Sequence, residues 1–364
     1  MGISLLVTPF NSRPPASVPL RLDVRRENGG VIPDAAPDVS AVAERYRRFA
    51  RDDAPGRSDL YAEWAQGVAE DSAVQRILAR IPATHRQPPL VFAVTRLLGA
   101  HEGPYAVWAE WLTVHADEVV AQASARSLQT NEPQRCAALL PALSLIEGPL
   151  ALLEIGASAG LCLYPDRYGY RYTMGEGDVV ELSPTGGSSV VLECAVSGSP
   201  PLRLPEVVWR TGIDLAPLDA RDAEHRRFLT TLVWPGEQGR AERIGAALEI
   251  VAADPPLMMR GDAADAAVLD YAIDQAPPGA TLVITTPGVM PHVPRAGREA
   301  LIERLRAGRA EWITIDPADL YSWTPPLRPE FAGFVLGRNG SALATVDPLG
   351  AFVEWRAGSS AVGR

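Results

Sequence analysis

The feature that most constrains the fold is an apolar run that ends in an acid and two spaced glycines. Residues 149–153 have strand character, and the sequence continues as Glu154-Ile155-Gly156-Ala157-Ser158-Ala159-Gly160. Glycine lets backbone approach a ligand closely, and a helix that begins after such a turn offers unpaired N–H groups. The spacing is E-x-G-x-x-x-G rather than the dinucleotide form G-x-G-x-x-G, because position 158 is serine. We predict a ligand-binding loop between a strand and a helix; a turn that binds nothing is the alternative.

Two later acids stand where a nucleotide-binding sheet places them. Asp214 ends a β-rich segment, and Asp262 ends a short apolar one. In such sheets, the acid after the second strand binds the ribose hydroxyls and lies about 20 residues beyond the glycine loop. The wider spacing here is accounted for by a β-rich insertion at about residues 174–206. We predict that Asp214 binds a ribose and that Asp262 and Ala263 meet an adenine; a helix cap is the alternative for Asp214.

A polar block separates two helices just upstream of the glycine loop. It contains Gln129, Thr130, Asn131 and Glu132. We predict that the first three side chains line a substrate pocket and that Glu132 is a catalytic carboxylate. The alternative is a capped turn between helices, with Thr130 or Asn131 as N-cap and Pro133 in the first turn.

A histidine follows the clearest buried strand, at residues 281–286. Ligands of open parallel sheets bind outside the carboxyl ends of the strands, and a histidine with a pKa near 6.5 can act there as a general base. We therefore predict that His292 is catalytic, with Asp166 as a second carboxylate candidate and Tyr164 at the substrate pocket. A structural or solvent-exposed histidine is the alternative.

Composition limits the class of protein. The 364 residues are 47% hydrophobic and 21% charged, which is ordinary for a globular protein, and the net charge of −10 argues against nucleic-acid or anionic-membrane partners. All 34 basic residues are arginine. Three scattered cysteines favour a reducing cytoplasm over a disulfide framework. No run approaches the roughly 20 apolar residues that span a bilayer, and residues 1–10 lack the features of a signal peptide. No metal site is predicted.

The chain divides into three parts by pattern. Residues 1–37 are rich in proline and predict an extended leader arm, whereas residues 38–147 carry helical apolar stripes and predict a helical domain. Residues 148–364 alternate strands and helices and then end in hairpin-like strands. This order predicts an α/β sheet with an antiparallel C-terminal edge.

Several segments together resemble a known family, the bacterial "domain of unknown function 2332". The resemblance runs from about residue 40 to the end and is carried by these segments: Ser127–Leu140, Leu152–Tyr172, Gly212–Asp219, Leu232–Gly236 and Arg260–Ala263. It implies a class I S-adenosylmethionine (SAM) methyltransferase-like Rossmann sheet preceded by a helical domain. It also implies that SAM is held by the glycine loop and by the later acids, which are Glu154, Gly156, Ser158, Gly160, Asp214, Asp262 and Ala263.

Three positions depart from the family pattern. Cys162 stands where asparagine is usual. The fourth strand ends in Thr285-Thr286-Pro287 instead of a histidine-containing segment, and Pro348-Leu349-Gly350 replaces a Pro-His-Gly turn. These departures suggest a specialised member and weaken the carry-over of catalysis more than that of the fold.

Three functional hypotheses follow. The first is a SAM-binding transferase that acts on a small molecule, for example in the biosynthesis of a specialised metabolite. The second is an enzyme on the same fold that works without SAM and closes a ring by intramolecular displacement, as in an aziridine-type cyclisation. The third is a non-catalytic partner subunit. A homodimer and a hetero-complex are both compatible with the sequence.

Overall fold

The computed structural model describes residues 39–129, 131–175, 177–324 and 333–356. The predicted leader arm and Thr130 lie outside the described residues. The described part of the chain belongs to one compact unit.

Seven helices of the described chain precede the first strand, and local sequence explains how several of them begin. The Ser58 hydroxyl accepts a hydrogen bond from the Tyr61 backbone N–H at 3.2 Å and so caps the second helix. Pro88 and Pro89 occupy the first turn of the fourth, where a missing N–H costs nothing. The seven helices are α1 (Val39–Asp52), α2 (Asp59–Glu70), α3 (Ser72–Leu78), α4 (Pro88–Leu97), α5 (Tyr105–Val114), α6 (Ala116–Ala125) and α7 (Arg135–Leu143).

The rest of the described chain contributes strands and four further helices. The strands are β1 (Pro149–Ile155), β2 (Gly169–Met174), β3 (Val179–Leu182), β4 (Val191–Ser197), β5 (Glu206–Asp214), β6 (Leu257–Arg260), β7 (Thr281–Pro287), β8 (Glu311–Pro317), β9 (Phe334–Arg338), β10 (Ser341–Val346) and β11 (Phe352–Trp355). The helices are α8 (Ala223–Thr231), α9 (Arg240–Ala253), α10 (Ala266–Asp274) and α11 (Arg295–Ala307). Among the described helices, none combines the length and the apolar character that crossing a bilayer requires.

All described strands form one sheet, in the order β3-β2-β4-β11-β10-β9-β8-β7-β1-β5-β6. From β8 to β6 every neighbouring pair is parallel. Counting only these five strands along the chain, their spatial order is 3-2-1-4-5, which is that of the doubly wound sheet. The order reverses between β1 and β7, so the carboxyl ends of these two strands form the topological switch point where such sheets bind ligands.

The antiparallel strands are present but do not form an edge. β9, β10 and β11 pair antiparallel with β8 or with each other, as the hairpin-like pattern indicates. However, β11 pairs parallel with β4, and β2 and β3 extend the sheet beyond it. The predicted antiparallel C-terminal edge is therefore wrong. The strands β4, β2 and β3, which lie in or next to the predicted insertion, continue the same sheet beyond β11.

The predicted helix after β1 is also absent from the described chain. Only a single 3-10 turn, Leu161–Leu163, follows the glycine loop before the chain continues to β2. The apolar run Leu161-Cys162-Leu163-Tyr164 is buried on all sides, which a short turn beneath the helices satisfies as well as a helix would. The loop thus lacks the helix N-terminus expected of it.

The helices and the sheet share one hydrophobic core. Helical side chains such as Phe92 and Leu139 belong to the same buried cluster as Leu152 on β1 and Leu192 on β4. A second cluster, on the other face of the parallel strands, contains Trp312 and the inward face of α10 and α11. The helical region therefore covers one face of the sheet and its carboxyl edge.

Candidate functional site

A cavity of about 490 Å³ lies at the switch point, beyond the carboxyl ends of β1, β5, β6 and β7. Its size falls within the range of small-molecule sites. Its walls come from the ends of those strands, from the α3–α4 connection and from the chain before α7. The residues discussed below that line it are Gln129, Arg135, Gly156, Asp214, Asp262, Ala263, Gly288, Val289 and His292.

Two of the predicted acids meet at this cavity. Asp214 ends β5, Asp262 follows β6, and these strands are neighbours, with Asp214 opposite Arg260. The two carboxylate oxygens of Asp214 accept hydrogen bonds from the backbone N–H groups of Ser158 and Ala216, each at 2.8 Å. These contacts fix the carboxylate at the cavity wall and leave lone pairs for a ligand.

Glu154 does not line the cavity. Its side chain is 3% exposed, and its Oε2 atom has no hydrogen-bond partner among the described residues. Burial, and then the Cys162 thiol, raise the pKa of Glu154 well above its ordinary value, against the lowering effect of Arg135. Burial therefore favours the neutral form of Glu154, and of the three predicted acids only Asp214 and Asp262 are among the residues that line the cavity.

The backbone of the glycine loop bonds within the protein. The N–H groups of Gly156 and Ala157 donate to the Ile213 carbonyl at 2.8 and 3.3 Å, and the Gly160 N–H donates to Ala157 at 2.6 Å. The Leu161 N–H donates to the Asn131 side chain at 3.3 Å. These N–H groups are therefore already satisfied, and the prediction that the loop offers them to a ligand is corrected.

Packing against side chains explains why the loop contains glycine. A Cβ atom at Gly156 would lie 2.5 Å from Cγ2 of Val289, and one at Gly160 would lie 3.1 Å from Pro256. Both glycines have positive φ, 75° and 79°, as does Ser158 at 53°. The Ser158 side chain is 2% exposed, and its hydroxyl has no partner in the described structure. Of these three residues, only Gly156 reaches the cavity.

Glu132 lies in a buried ion-pair network and not at the cavity. Its side chain is fully buried and pairs with Arg240 at 2.6 Å and Arg243 at 3.2 Å, both on α9. It also accepts a hydrogen bond from the Gln134 N–H at 3.0 Å. These contacts tie the chain before α7 to α9, so the structure gives Glu132 a structural position in place of the predicted catalytic one.

Asp166 and Tyr164 also lie away from the cavity. Asp166 pairs with the largely buried Arg210 at 2.6 Å, and burial raises its pKa in spite of that partner. Tyr164 is buried, its ring lies 4.8 Å from the Arg210 guanidinium, and its hydroxyl donates to the Asp254 carbonyl. Both residues contact Arg210 of β5, and neither is among the residues that line the cavity.

The polar block divides between the cavity and the core. Gln129 lines the cavity, and its amide nitrogen lies 3.4 Å from the Ala216 carbonyl. Asn131 is buried beneath the glycine loop, where its Nδ2 atom has no partner among the residues described. Thr130 lies outside the described residues. The block therefore supplies one wall residue directly and supports the loop through another.

His292 lines the cavity as predicted, at its exposed rim. It ends the 3-10 turn Met290–His292, which follows β7. Partial burial of the ring and, second, the positive charge of Arg135 lower the pKa of His292 below its usual 6.5. The ring is therefore neutral at pH 7 and can accept a proton.

Arg135 is the cavity residue that our sequence reasoning missed. It begins α7, its side chain is 8% exposed, and it lines the cavity. Its guanidinium donates to the carbonyls of Pro287 and Pro348, which belong to two of the segments that depart from the family pattern. The available signal was a single charged residue at the head of an otherwise apolar helix, Arg135–Leu143.

Fold and cavity together define an α/β protein with a cavity of small-molecule size at the switch point of its parallel strands. The family model described as "Uncharacterized protein conserved in bacteria (DUF2332)" matches residues 43–355, and the chain belongs to this family. A search of curated proteins gave no significant match, and neither did a search of solved structures.

Proposed function

We propose that the protein binds SAM in this cavity and transfers a group from it to a small-molecule acceptor. The observation that carries the proposal is that Asp214 and Asp262 both lie at the ends of adjacent strands, on one wall of a ligand-sized cavity. This is the wall that holds the nucleoside in doubly wound sheets. When bound, SAM supplies an activated methyl group on a positively charged sulfur.

The residues present fit the nucleoside half of SAM better than its amino-acid half. Asp214 can accept hydrogen bonds from ribose hydroxyls, and the carboxylate of Asp262, which accepts from the Ala264 N–H at 2.9 Å, can also accept from an adenine amino group. Near Gly156 the loop N–H groups are satisfied and Val289 packs over the glycine. The amino-acid end would therefore depend on side chains of the cavity wall.

The chain would contribute to catalysis by positioning the two reactants and by accepting one proton from the acceptor molecule. Positioning of two reactants contributes up to roughly 7–11 kcal/mol in good cases. His292, neutral at the cavity rim, would accept the proton of an oxygen or nitrogen acceptor, a step worth typically 10²- to 10⁴-fold. Asp214 and Asp262 would fix the nucleoside on the opposite wall.

Calorimetric titration of SAM tests the proposal. We expect saturable binding to the wild type and at least tenfold weaker binding to Asp214→Asn and to Asp262→Asn. Asp219→Asn is the matched control, since Asp219 lies in the same loop but pairs with Arg221 at 2.8 Å outside the cavity. No binding at millimolar SAM, or equal loss in the control, would contradict the proposal.

One observation favours the second hypothesis. The closed backbone of the glycine loop leaves little for the amino-acid end of SAM, whereas a substrate that carries its own leaving group needs no such contact. An intramolecular displacement would then use the same cavity, with His292 accepting the proton of the attacking amine. Turnover of a substrate without added SAM, unchanged when SAM is added, would select this reaction over methyl transfer.

A further inference from the structure

Arg135 is a buried cation without an acidic partner. Its side chain is 8% exposed, yet no carboxylate of the described residues forms an ion pair with it. The other deeply buried arginines differ: Arg210 pairs with Asp166, and Arg240 pairs with both Glu132 and Glu237. Burying a charge is costly unless it is paired. A guanidinium in a cavity wall without an acidic partner among the described residues therefore indicates a site for an anionic ligand.

The protein holds this guanidinium in a fixed orientation. Nε donates to the Pro348 carbonyl at 2.9 Å, and Nη1 donates to the Pro287 carbonyl at 2.7 Å. Nη2 makes no hydrogen bond within the described structure and lies against Gly288, where a Cβ atom would come within 2.8 Å of it. Hydrogen bonds from two of the three nitrogens, Nε and Nη1, thus orient the guanidinium. The absence of a side chain at Gly288 leaves space for the third nitrogen, Nη2.

Two buried acids interact with Arg135 without forming an ion pair with it among the described contacts. Glu154 and Asp316 both interact electrostatically with Arg135, and burial raises the pKa of each, to about 7 for Asp316. Burial therefore favours the neutral form of both carboxyl groups, which weakens their compensation of the Arg135 charge. Asp214 and Asp262, by contrast, lie on the far side of β1.

The order of the strands places Arg135 and the two acids, Asp214 and Asp262, at different ends of the cavity. Arg135 is tied to the end of β7, and the order β7-β1-β5-β6 places Asp214 two strands away and Asp262 three. Strands lie about 4.8 Å apart, so the arginine and the acids are separated by roughly 10–14 Å along this edge. His292, which follows β7, shares the arginine end.

We propose that Arg135 binds an anionic group of the acceptor molecule, a carboxylate, sulfate or phosphate. A planar guanidinium suits such oxyanions, and charge-assisted hydrogen bonds to them are the strong ones. Assigning the anion to the acceptor rests on the proposed function, because the carboxylate of SAM offers the same chemistry. The acceptor is favoured since the arginine lies with His292 and away from the acids that would hold the nucleoside.

Calorimetry with sulfate and with malonate tests the anion site without SAM. At constant ionic strength, set with sodium chloride, we expect saturable binding to the wild type and at least tenfold weaker binding to Arg135→Gln. Arg260→Gln is the matched control: it removes the same charge at the end of β6, where Arg260 is exposed and is not among the residues that line the cavity. No saturable binding to the wild type, or equal binding to Arg135→Gln, would overturn the proposal.

A measurement on the wild type keeps the test valid if Arg135→Gln fails to fold. Because Arg135 helps to lower the pKa of His292, an anion bound to it should raise that pKa, as followed by NMR of the labelled ring. Sulfate binding that leaves the His292 titration unchanged would place the anion elsewhere and overturn the proposal.

SAM titration distinguishes the two sources of the anion. If the acceptor carries it, Arg135→Gln binds SAM as tightly as the wild type, and sulfate and SAM bind together. Competition between sulfate and SAM would overturn the assignment to the acceptor. Failure of SAM to bind at all would remove the proposed function and leave the sulfate result standing by itself.

Discussion

At the scale of single residues, the structure distinguishes charged side chains that have an ion-pair partner from those that have none among the described residues. Glu132 and Asp166, both predicted to be catalytic, have arginine partners in the protein, whereas Arg135 has none among the described acids. Sequence cannot make this distinction, since pairing depends on contacts between distant segments. Glu132 and Arg240 are 108 positions apart in the chain.

Asp316 gives a residue-scale prediction about pH. Burial raises the pKa of this carboxyl from 3.8 to about 7, although the Tyr321 hydroxyl donates to it at 2.8 Å. The folded protein therefore keeps a proton that the unfolded chain releases near pH 4, so the contribution of Asp316 to stability is most favourable below pH 4 and becomes less favourable until about pH 7. The loss is up to about 1.4 kcal/mol per pH unit.

Asp316→Asn should flatten this dependence and make the protein more stable than the wild type at pH 8. Urea unfolding between pH 5 and pH 8 measures it. Asp117→Asn is the control, because Asp117 is almost fully exposed beside Arg80. A variant whose stability changes with pH in the same way as that of the wild type would refute the pH assignment.

At the scale of elements, the sequence predicted individual strands better than the segments that follow them and the strands with which they pair. Val283 and Ile284 lie in an apolar run long enough for a buried strand, and β7 forms there. The run Leu161–Leu163 carried the same apolar signal for a helix, but the chain turns after three residues because Tyr168 and Tyr170 must enter the core. The position of β11 depends on pairing with β4, about 155 residues earlier, which no local pattern encodes.

The glycine loop gives an element-scale prediction. Gly156→Ala should destabilise the protein by about 2–4 kcal/mol, since it combines an unfavourable φ with a clash against Val289. Gly148→Ala is the matched control: it has the same φ of 75° and no atom within 4 Å of an added Cβ, so only the cost of the backbone conformation, about 1 kcal/mol, applies.

A double-mutant cycle isolates the clash. Adding Val289→Ala to Gly156→Ala should recover part of the difference between the two glycine variants, because it removes the 2.5 Å contact with Cγ2 but keeps Cβ of residue 289 at 2.9 Å. Chemical denaturation measures all four proteins. Equal cost at Gly156 and Gly148, or no recovery in the double variant, would mean that Val289 does not pack on the loop.

At the scale of the whole molecule, helices and sheet combine to make a two-ended cavity. The sheet supplies Asp214 and Asp262, whereas the helical region supplies Arg135 and Gln129, and one core holds both parts together. The sequence predicted the acid end because the order of strands along the chain fixes which strand ends meet. The cationic end depends on how α7 packs over β4, β8 and β9 and so brings Arg135 to the end of β7, which the order of elements does not specify.

The most direct test is a crystal structure with S-adenosylhomocysteine, the product that SAM becomes when it loses its methyl group. The ribose hydroxyls should lie within hydrogen-bond distance of the Asp214 carboxylate and the adenine amino group near Asp262. The Arg135 end should remain open to a second anionic molecule. A nucleoside bound away from both acids, or a cavity that stays empty at saturating concentrations, would contradict the account.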